Sequence, residues 1–313
     1  MRFFTDDDIA EALPWGELMT AIEQVMVDPN ATAPPRTVHV VPDGRGNDAS
    51  FLLKPGWVTG SMLGVKAVTF FPDNGAQGLP TIQAGVLLFD GQTGSLLGAC
   101  EANALTTRRT AAASAVAARR LAHPDARNLL VVGSGALAPM AVEAHAAVRD
   151  FAQISVWGRN PARAQAVVDG LAGTGLPVVV ADNLDEAVAG ADVISCVTGA
   201  TNPLIRGVLL RPGCHVDLIG GFTLAMREAD DDVMRRGSIF VDTIDDASVA
   251  GDIAQPLADG VITQGDLLGD LADLVSGRHP GRRHDEEITV FKSAGTALED
   301  LAAAQLAFGA GES

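Results

Sequence analysis

The 313-residue chain contains no tyrosine, and aromatic residues make up only 4% of it. A phenolic general acid is therefore excluded from any chemistry it performs. Cysteine is almost as scarce: Cys100, Cys196 and Cys214 lie far apart, with neither the paired spacing of a zinc site nor the even count of a disulfide framework. No metal is expected, and a reducing, cytoplasmic setting is. Cys196 sits in the apolar run Val193-Ile194-Ser195-Cys196-Val197, which predicts a buried strand and an inert thiol. Positive charge is in deficit, with 22 Lys and Arg against 39 Asp and Glu and a net charge of −17. A surface of that sign repels phosphate backbones, so no nucleic-acid partner is expected. No apolar run reaches the roughly 18 residues of a membrane span, and the start lacks a signal-peptide core, so no membrane partner is expected either.

What is present divides the chain in two. Its length is about twice that of one ordinary domain. Thr5 before Asp6-Asp7-Asp8 reads as the cap of a helix running towards Met26. From Thr37 to Phe89, short β-branched and aromatic runs (37–41, 63–71, 85–89) alternate with Pro, Gly, Asp and Asn turns, as in antiparallel sheets, with a hairpin turn at Asp90-Gly91. An Ala-rich helix over 102–122 bridges to the second half. There strands at 128–132, 153–157, 178–180, 192–197, 215–219 and 239–241 alternate with helices, the pattern of a doubly wound parallel sheet. A further strand is predicted over 287–292 and an amphipathic helix over 296–308, returning to the first domain. The expected fold is α/β: a Rossmann-type doubly wound parallel sheet, residues 121–292, inserted in an α+β domain made of residues 1–120 with 293–313.

The glycine turn Gly133-Ser134-Gly135-Ala136-Leu137-Ala138 follows an apolar strand and opens a helix, the context that gives a glycine pattern meaning. Gly133 permits the tight turn, Gly135 lets the backbone approach a pyrophosphate, and small Ala138 lets helix and sheet pack closely. The next strand ends in Trp157-Gly158-Arg159-Asn160, about twenty residues on, where NAD enzymes place an acid for the ribose hydroxyls. No acid stands there. Arg159 offers a planar donor fork for a 2′-phosphate and Asn160 a further hydrogen bond, so NADP(H) is favoured over NAD(H). Thr198 and Ile219-Gly220 follow later strands, at the end of the sheet where the cofactor crevice forms.

Three cations stand out in the first half: Arg36, Lys66 and Arg109. Two lie on predicted strands and one starts the Ala-rich helix, so they can converge on a carboxylate at the domain interface. The residues alone lead to a nicotinamide-dependent enzyme acting on a small acid.

The motifs Pro35-Arg36-Thr37, Gly64-Val65-Lys66, Leu105-Thr106-Thr107-Arg108-Arg109-Thr110-Ala111-Ala112, Gly133-Ser134-Gly135 and Phe291-Lys292-Ser293-Ala294-Gly295-Thr296 resemble those of the ornithine cyclodeaminase and mu-crystallin superfamily, over nearly the whole chain. The resemblance implies a homodimer, a substrate carboxylate held by Arg36, Lys66 and Arg109, and Thr110 and Ser293 beside the cofactor. Cyclodeaminases carry an aspartate after the fifth strand to hold the terminal amine of ornithine. This chain has Gly220-Gly221-Phe222-Thr223, and an ammonium meeting Phe222 would lose its partner, at a cost of a few kcal/mol. The departure resembles the imine-reductase branch, the Δ1-pyrroline-2-carboxylate reductases in particular. The expectation is NADPH-dependent reduction of Δ1-pyrroline-2-carboxylate or Δ1-piperideine-2-carboxylate to L-proline or L-pipecolate, with Lys66 as candidate proton donor. His39 and His215 are read as structural. The alternatives are reductive amination of a 2-oxo acid, as in the alanine dehydrogenases of the superfamily, ornithine cyclisation, and a non-catalytic NADPH-binding, crystallin-like protein.

Overall fold

The computed structural model describes residues 2–44 and 48–310. The chain forms two compact units, Met1–Arg109 with Thr296–Ser313, and Thr110–Gly295. The first division falls inside the Ala-rich helix rather than at its end.

In the first unit, the Thr5 side chain accepts from the Asp8 backbone N–H while the Asp8 carboxylate accepts from the Thr5 N–H, so the cap is reciprocal. The expected single helix is two, α1 (Asp6–Ala12) and α2 (Trp15–Val27). Pro14 has no N–H to continue the ladder and disfavours helical backbone in the residue before it, so the first helix stops and a second starts. The sheet comprises β1 (Arg2–Phe4), β2 (Ala31–Thr32), β3 (Thr37–Pro42), β4 (Asp48–Val58), β5 (Met62–Phe70), β6 (Ile82–Asp90) and β7 (Leu96–Glu101). Its order is β1-β7-β6-β5-β4-β2, with β3 also on β4, antiparallel except for the β1–β7 pair. The Asp90 carboxylate accepts from the N–H groups of Gln92 and Thr93 and holds the β6–β7 hairpin turn. Strand β4 escaped the sequence reading because Pro55 and Gly56 look like breakers. At Gly56 the C-terminal helix Ala297–Ala310 comes so close that a Cβ would lie 3.2 Å from that of Ala297.

Helix α3 (Asn103–Leu121) begins in the first unit and ends in the second. The second unit is an eight-stranded, wholly parallel sheet: β8 (Asn128–Val132), β9 (Gln153–Trp157), β10 (Val178–Val180), β11 (Val193–Cys196), β12 (His215–Leu218), β13 (Gly237–Val241), β14 (Leu267–Asp270) and β15 (Ile288–Lys292). The order is β10-β9-β8-β11-β12-β15-β13-β14. All six expected strands are present, and the seventh inserts between β12 and β13. Both faces are covered: Leu130 and Val132 pack with Ile194 and Val216, while Leu129 and Val131 pack with Ile154 and Val156. That is why β8 reads as an unbroken apolar run. The chain winds one way from β8 to β10 and the other from β11 onwards, so the switch point lies between β8 and β11. Among the described residues no helix is long and apolar enough to cross a membrane.

Candidate functional site

At the end of β8 the chain turns at Gly133, whose φ of +134° is rarely adopted by residues with a side chain. Its N–H donates to the Trp157 carbonyl at 2.8 Å, and a Cβ would run into the Val197 backbone. Helix α4 (Leu137–Ala146) starts at Ala136 with no side-chain cap, so its first N–H groups have no side-chain acceptor. Ala138 is fully buried against the sheet, as its size requires. Helix α5 (Pro161–Gly170) is capped by Asn160, whose side-chain oxygen accepts from the Ala162 N–H at 3.0 Å.

These ends enclose a cleft of about 540 Å³, lined by Gly133, Ser134, Gly135, the segment 157–160, Arg163 and the segment 197–202. Seven residues anticipated for the cofactor meet there: Gly133, Ser134, Gly135, Trp157, Arg159, Asn160 and Thr198. Ala136 and Leu137 lead into α4, Ile219 and Gly220 follow β12, Ser293 follows β15, and Thr110 is buried in α3; none of these six lines the cleft itself. Arg163, in the first turn of α5, was missed. No carboxylate lines the cleft, and among the described residues neither arginine has an acidic partner, in a chain where acids outnumber basic side chains 39 to 22. The Ser293 hydroxyl is buried without a hydrogen-bond partner among the described residues. A glycine turn, an uncapped helix start and two guanidinium groups without acidic partners suit a dinucleotide.

Beside the cleft lies a buried constellation that sequence reading did not find. The Glu228 carboxylate accepts from the Thr198 N–H (2.7 Å), the Thr198 hydroxyl (2.8 Å) and the Gly220 N–H (2.7 Å). Asp252 accepts from the Glu228 N–H (2.7 Å) and from the Lys292 ammonium (3.1 Å). Glu228, Asp252 and Lys292 are all fully buried. Burial pushes the Glu228 carboxyl up to about 7, with Lys292 restraining the rise and Asp252 adding to it. In sequence Glu228 is one acid in an acid-rich loop, and nothing local sets it apart.

In the first unit, Lys66 and Arg109 meet on one carboxylate. The Lys66 ammonium lies 2.7 Å from Asp300 Oδ1 and donates to the Thr106 hydroxyl at 3.2 Å, while Arg109 Nε lies 2.7 Å from the same oxygen and Arg109 Nη1 2.6 Å from Glu299. A fourth member, Lys54, lies 3.0 Å from Asp300 Oδ2. It stands directly opposite Lys66 across the β4–β5 ladder, an unfavourable like-charge pair unless acids intervene. Burial pushes the Lys66 ammonium well below the ordinary lysine range; Asp300 opposes the fall and the Arg109 and Lys54 charges add to it. Burial raises the Asp300 carboxyl, but Arg109, Lys54 and Lys66 more than reverse this and hold it below the ordinary aspartate range. Arg36 is half-buried just before β3.

The cysteines are buried, and burial pushes Cys100 up to about 11, Cys214 up to about 12 and Cys196 well above the ordinary thiol range. None is a thiolate near neutral pH. His215 is buried with Nδ1 3.0 Å from the Thr289 hydroxyl, and burial holds it well below the ordinary imidazole range, so it is neutral near pH 7.

Over residues 3–310 the chain matches the ornithine cyclodeaminase/mu-crystallin family. It belongs to that family. This member is 38% identical over 302 residues to a Δ1-pyrroline-2-carboxylate reductase of Paracoccus denitrificans, covering 96% of this chain and 94% of the relative. Its fold is similar to that of Thermococcus litoralis Δ1-pyrroline-2-carboxylate reductase, solved with NADH and L-proline, at a TM-score of 0.93 and 30% identity over 99% and 97% of the two chains. An archaeal alanine dehydrogenase dimer with bound NAD is similar at a TM-score of 0.91 and 26% identity, over 98% and 94%. The resemblance read from the motifs and the α/β fold are both borne out.

Proposed function

We propose that this family member is an NAD(P)H-dependent reductase of cyclic imino acids, reducing Δ1-pyrroline-2-carboxylate, its six-membered homologue Δ1-piperideine-2-carboxylate, or both, to L-proline or L-pipecolate. One observation carries the reading: Lys66 is buried in a cluster with Lys54, Arg109, Asp300 and Glu299, and its proton is loosened by its surroundings. These cations suit the carboxylate of an imino acid, with Arg109, Lys66 and Arg36 as its anchors and Lys54 as an additional cation. Lys66 donates its proton to the imine nitrogen, and solvent restores it. Protonation makes C2 the better hydride acceptor, because the electron pair of the C=N bond then ends on a neutral amine. A reduced nicotinamide, when bound, supplies the hydride.

Gly133, Ser134, Gly135, Ala136 and Leu137 are assigned to the pyrophosphate, Trp157, Arg159 and Asn160 to the adenosine half, and Thr198, Ile219, Gly220, Ser293 and Thr110 to the remainder. Preference for NADPH over NADH is assigned to Arg159 with Arg163, supported by the lack of any acid in the cleft. Phe222, 39% exposed after Gly221, gives a terminal ammonium no partner, which disfavours ornithine as substrate. A homodimer is part of the proposal, supported by Val38, Val40, Leu63, Ile82 and Leu87, which the first unit's sheet leaves exposed.

The test is NADPH oxidation with Δ1-pyrroline-2-carboxylate, run beside Δ1-piperideine-2-carboxylate, pyruvate plus ammonia, and L-ornithine with NAD. Rapid imine-dependent oxidation is expected. Turnover only with pyruvate and ammonia would assign an alanine dehydrogenase activity, deamination of ornithine would overturn the reading of Phe222, and tight NADPH binding without any turnover would leave a dinucleotide carrier.

A further inference from the structure

We propose that Glu228 is a positioning residue that fastens the two loops facing the nicotinamide half of the dinucleotide into one rim; the proposal rests on the cofactor reading above. Strand order divides the cofactor site. Arg159 and Arg163 follow β9, on one side of β8, and mark the adenosine half. Thr198 follows β11 and Gly220 follows β12, on the other side of the switch point, and therefore face the other half.

Both loops are free backbone that a parallel ladder no longer holds, yet their N–H groups converge on one carboxylate. Glu228 takes Thr198 on one oxygen and Gly220 on the other, three charge-assisted hydrogen bonds in a fully buried setting. The clamp is itself anchored. The Glu228 carbonyl accepts from the N–H groups of Leu204 and Ile205 (2.8 and 2.9 Å), and its N–H is held by Asp252, which Lys292 braces from the end of β15. The fit also explains Gly220-Gly221: a Cβ on the first would fall on the Thr198 backbone and the Glu228 carboxylate, and one on the second on Asp252.

An ionised carboxylate only accepts, which is what three donors require. A protonated one presents a hydrogen to one of them and loses that bond. The groups facing Glu228 are Asp252 on the helix Gly251–Ala258, Lys292 on β15 and the Cys196 thiol on β11. Of these, Lys292 favours the ionised clamp and Asp252 opposes it, and with burial dominant Glu228 titrates near neutrality. Falling pH loosens the rim.

The experiment compares NADPH with adenosine 2′,5′-bisphosphate, which carries the adenosine half alone, by calorimetry on the full chain. Glu228→Gln keeps the shape but sets an amide donor against a backbone donor. It is expected to weaken NADPH by about tenfold or more, one charged hydrogen bond, while the bisphosphate stays within about twofold. Equal weakening of both ligands, or of neither, overturns the proposal. In the unaltered protein, the ratio of NADPH to bisphosphate affinity is expected to fall as the pH drops below about 7. A ratio that stays flat over that range overturns it without any variant. A protein that binds neither ligand overturns the cofactor reading and this proposal with it, whereas binding of both with no effect of Glu228→Gln overturns this proposal alone.

Discussion

Replacing Arg159 with alanine separates the two dinucleotides, and the structure sets the size of the effect. A guanidinium fork on a phosphate dianion makes charge-assisted hydrogen bonds, which are worth about 1.5–3 kcal/mol each when well formed. Arg159 is exposed, so water and salt screen it and the lower end of that range applies, roughly a tenfold loss in NADPH affinity at physiological ionic strength. Arg163 lines the same cleft and retains part of the attraction, so the double replacement is expected to cost roughly thirtyfold to a hundredfold. NADH lacks the phosphate. Because no carboxylate is paired with either arginine, removing them leaves no buried acid stranded, and NADH affinity should change by less than about twofold. Calorimetric titration of both cofactors against the single and double variants, at low and high salt, measures these ratios. Equal losses for NADPH and NADH would refute the 2′-phosphate assignment, and so would a NADPH loss that did not shrink as salt rose.

Asp300→Asn strands Lys54, Lys66 and Arg109 around a neutral amide, which should destabilise the fold by about 3–5 kcal/mol at pH 7, read as a lower urea midpoint. The Asp300 carboxyl is held below its ordinary range, so its contribution is complete at neutral pH and is lost only as the pH falls through that lowered value; an unchanged midpoint would contradict the buried cluster. Lys66 is pushed down, so imine reduction should decline as rising pH strips its proton, at a pH well below the ordinary lysine range. Lys66→Met should remove that alkaline limb along with most of kcat, and a pH–rate profile of the same shape in the variant would exclude Lys66 as proton donor. Gly133→Ala forces a side chain into a left-handed turn against Val197, at a cost of about 1–3 kcal/mol. Cofactor affinity should drop at least tenfold, and retention of full affinity would show that the turn does not hold the pyrophosphate.

What the sequence announced was local. The Thr5 cap, the apolar run of β8 and the turn at Gly133 each rest on residues within one turn or one strand of one another, and each is present in the structure. The helix break at Pro14 was equally local and was overlooked because the apolar periodicity continues across it. Strand β4 was hidden for the opposite reason: Pro55 and Gly56 carry the signature of a turn, yet Gly56 is small because the C-terminal helix lies against it. That requirement comes from a residue more than two hundred positions away.

The same distance governs the chemistry. Lys66 and Arg109 could be named because they are scarce cations in an acidic chain, but the acids that hold them, Glu299 and Asp300, lie 190 to 234 residues away and look like ordinary first-turn acids of a helix. Only the fold turns them into counter-ions, and only their presence makes Lys54 intelligible, since a lysine directly opposite another on a sheet is otherwise self-defeating. Asp300 meets all three cations and Glu299 meets Arg109 again, so the two acids hold like charges side by side in the core. Without those acids, the mutual repulsion of three buried cations would drive them apart. The proposed anchors Lys66 and Arg109 therefore depend on the positions of Glu299 and Asp300 as directly as on their own.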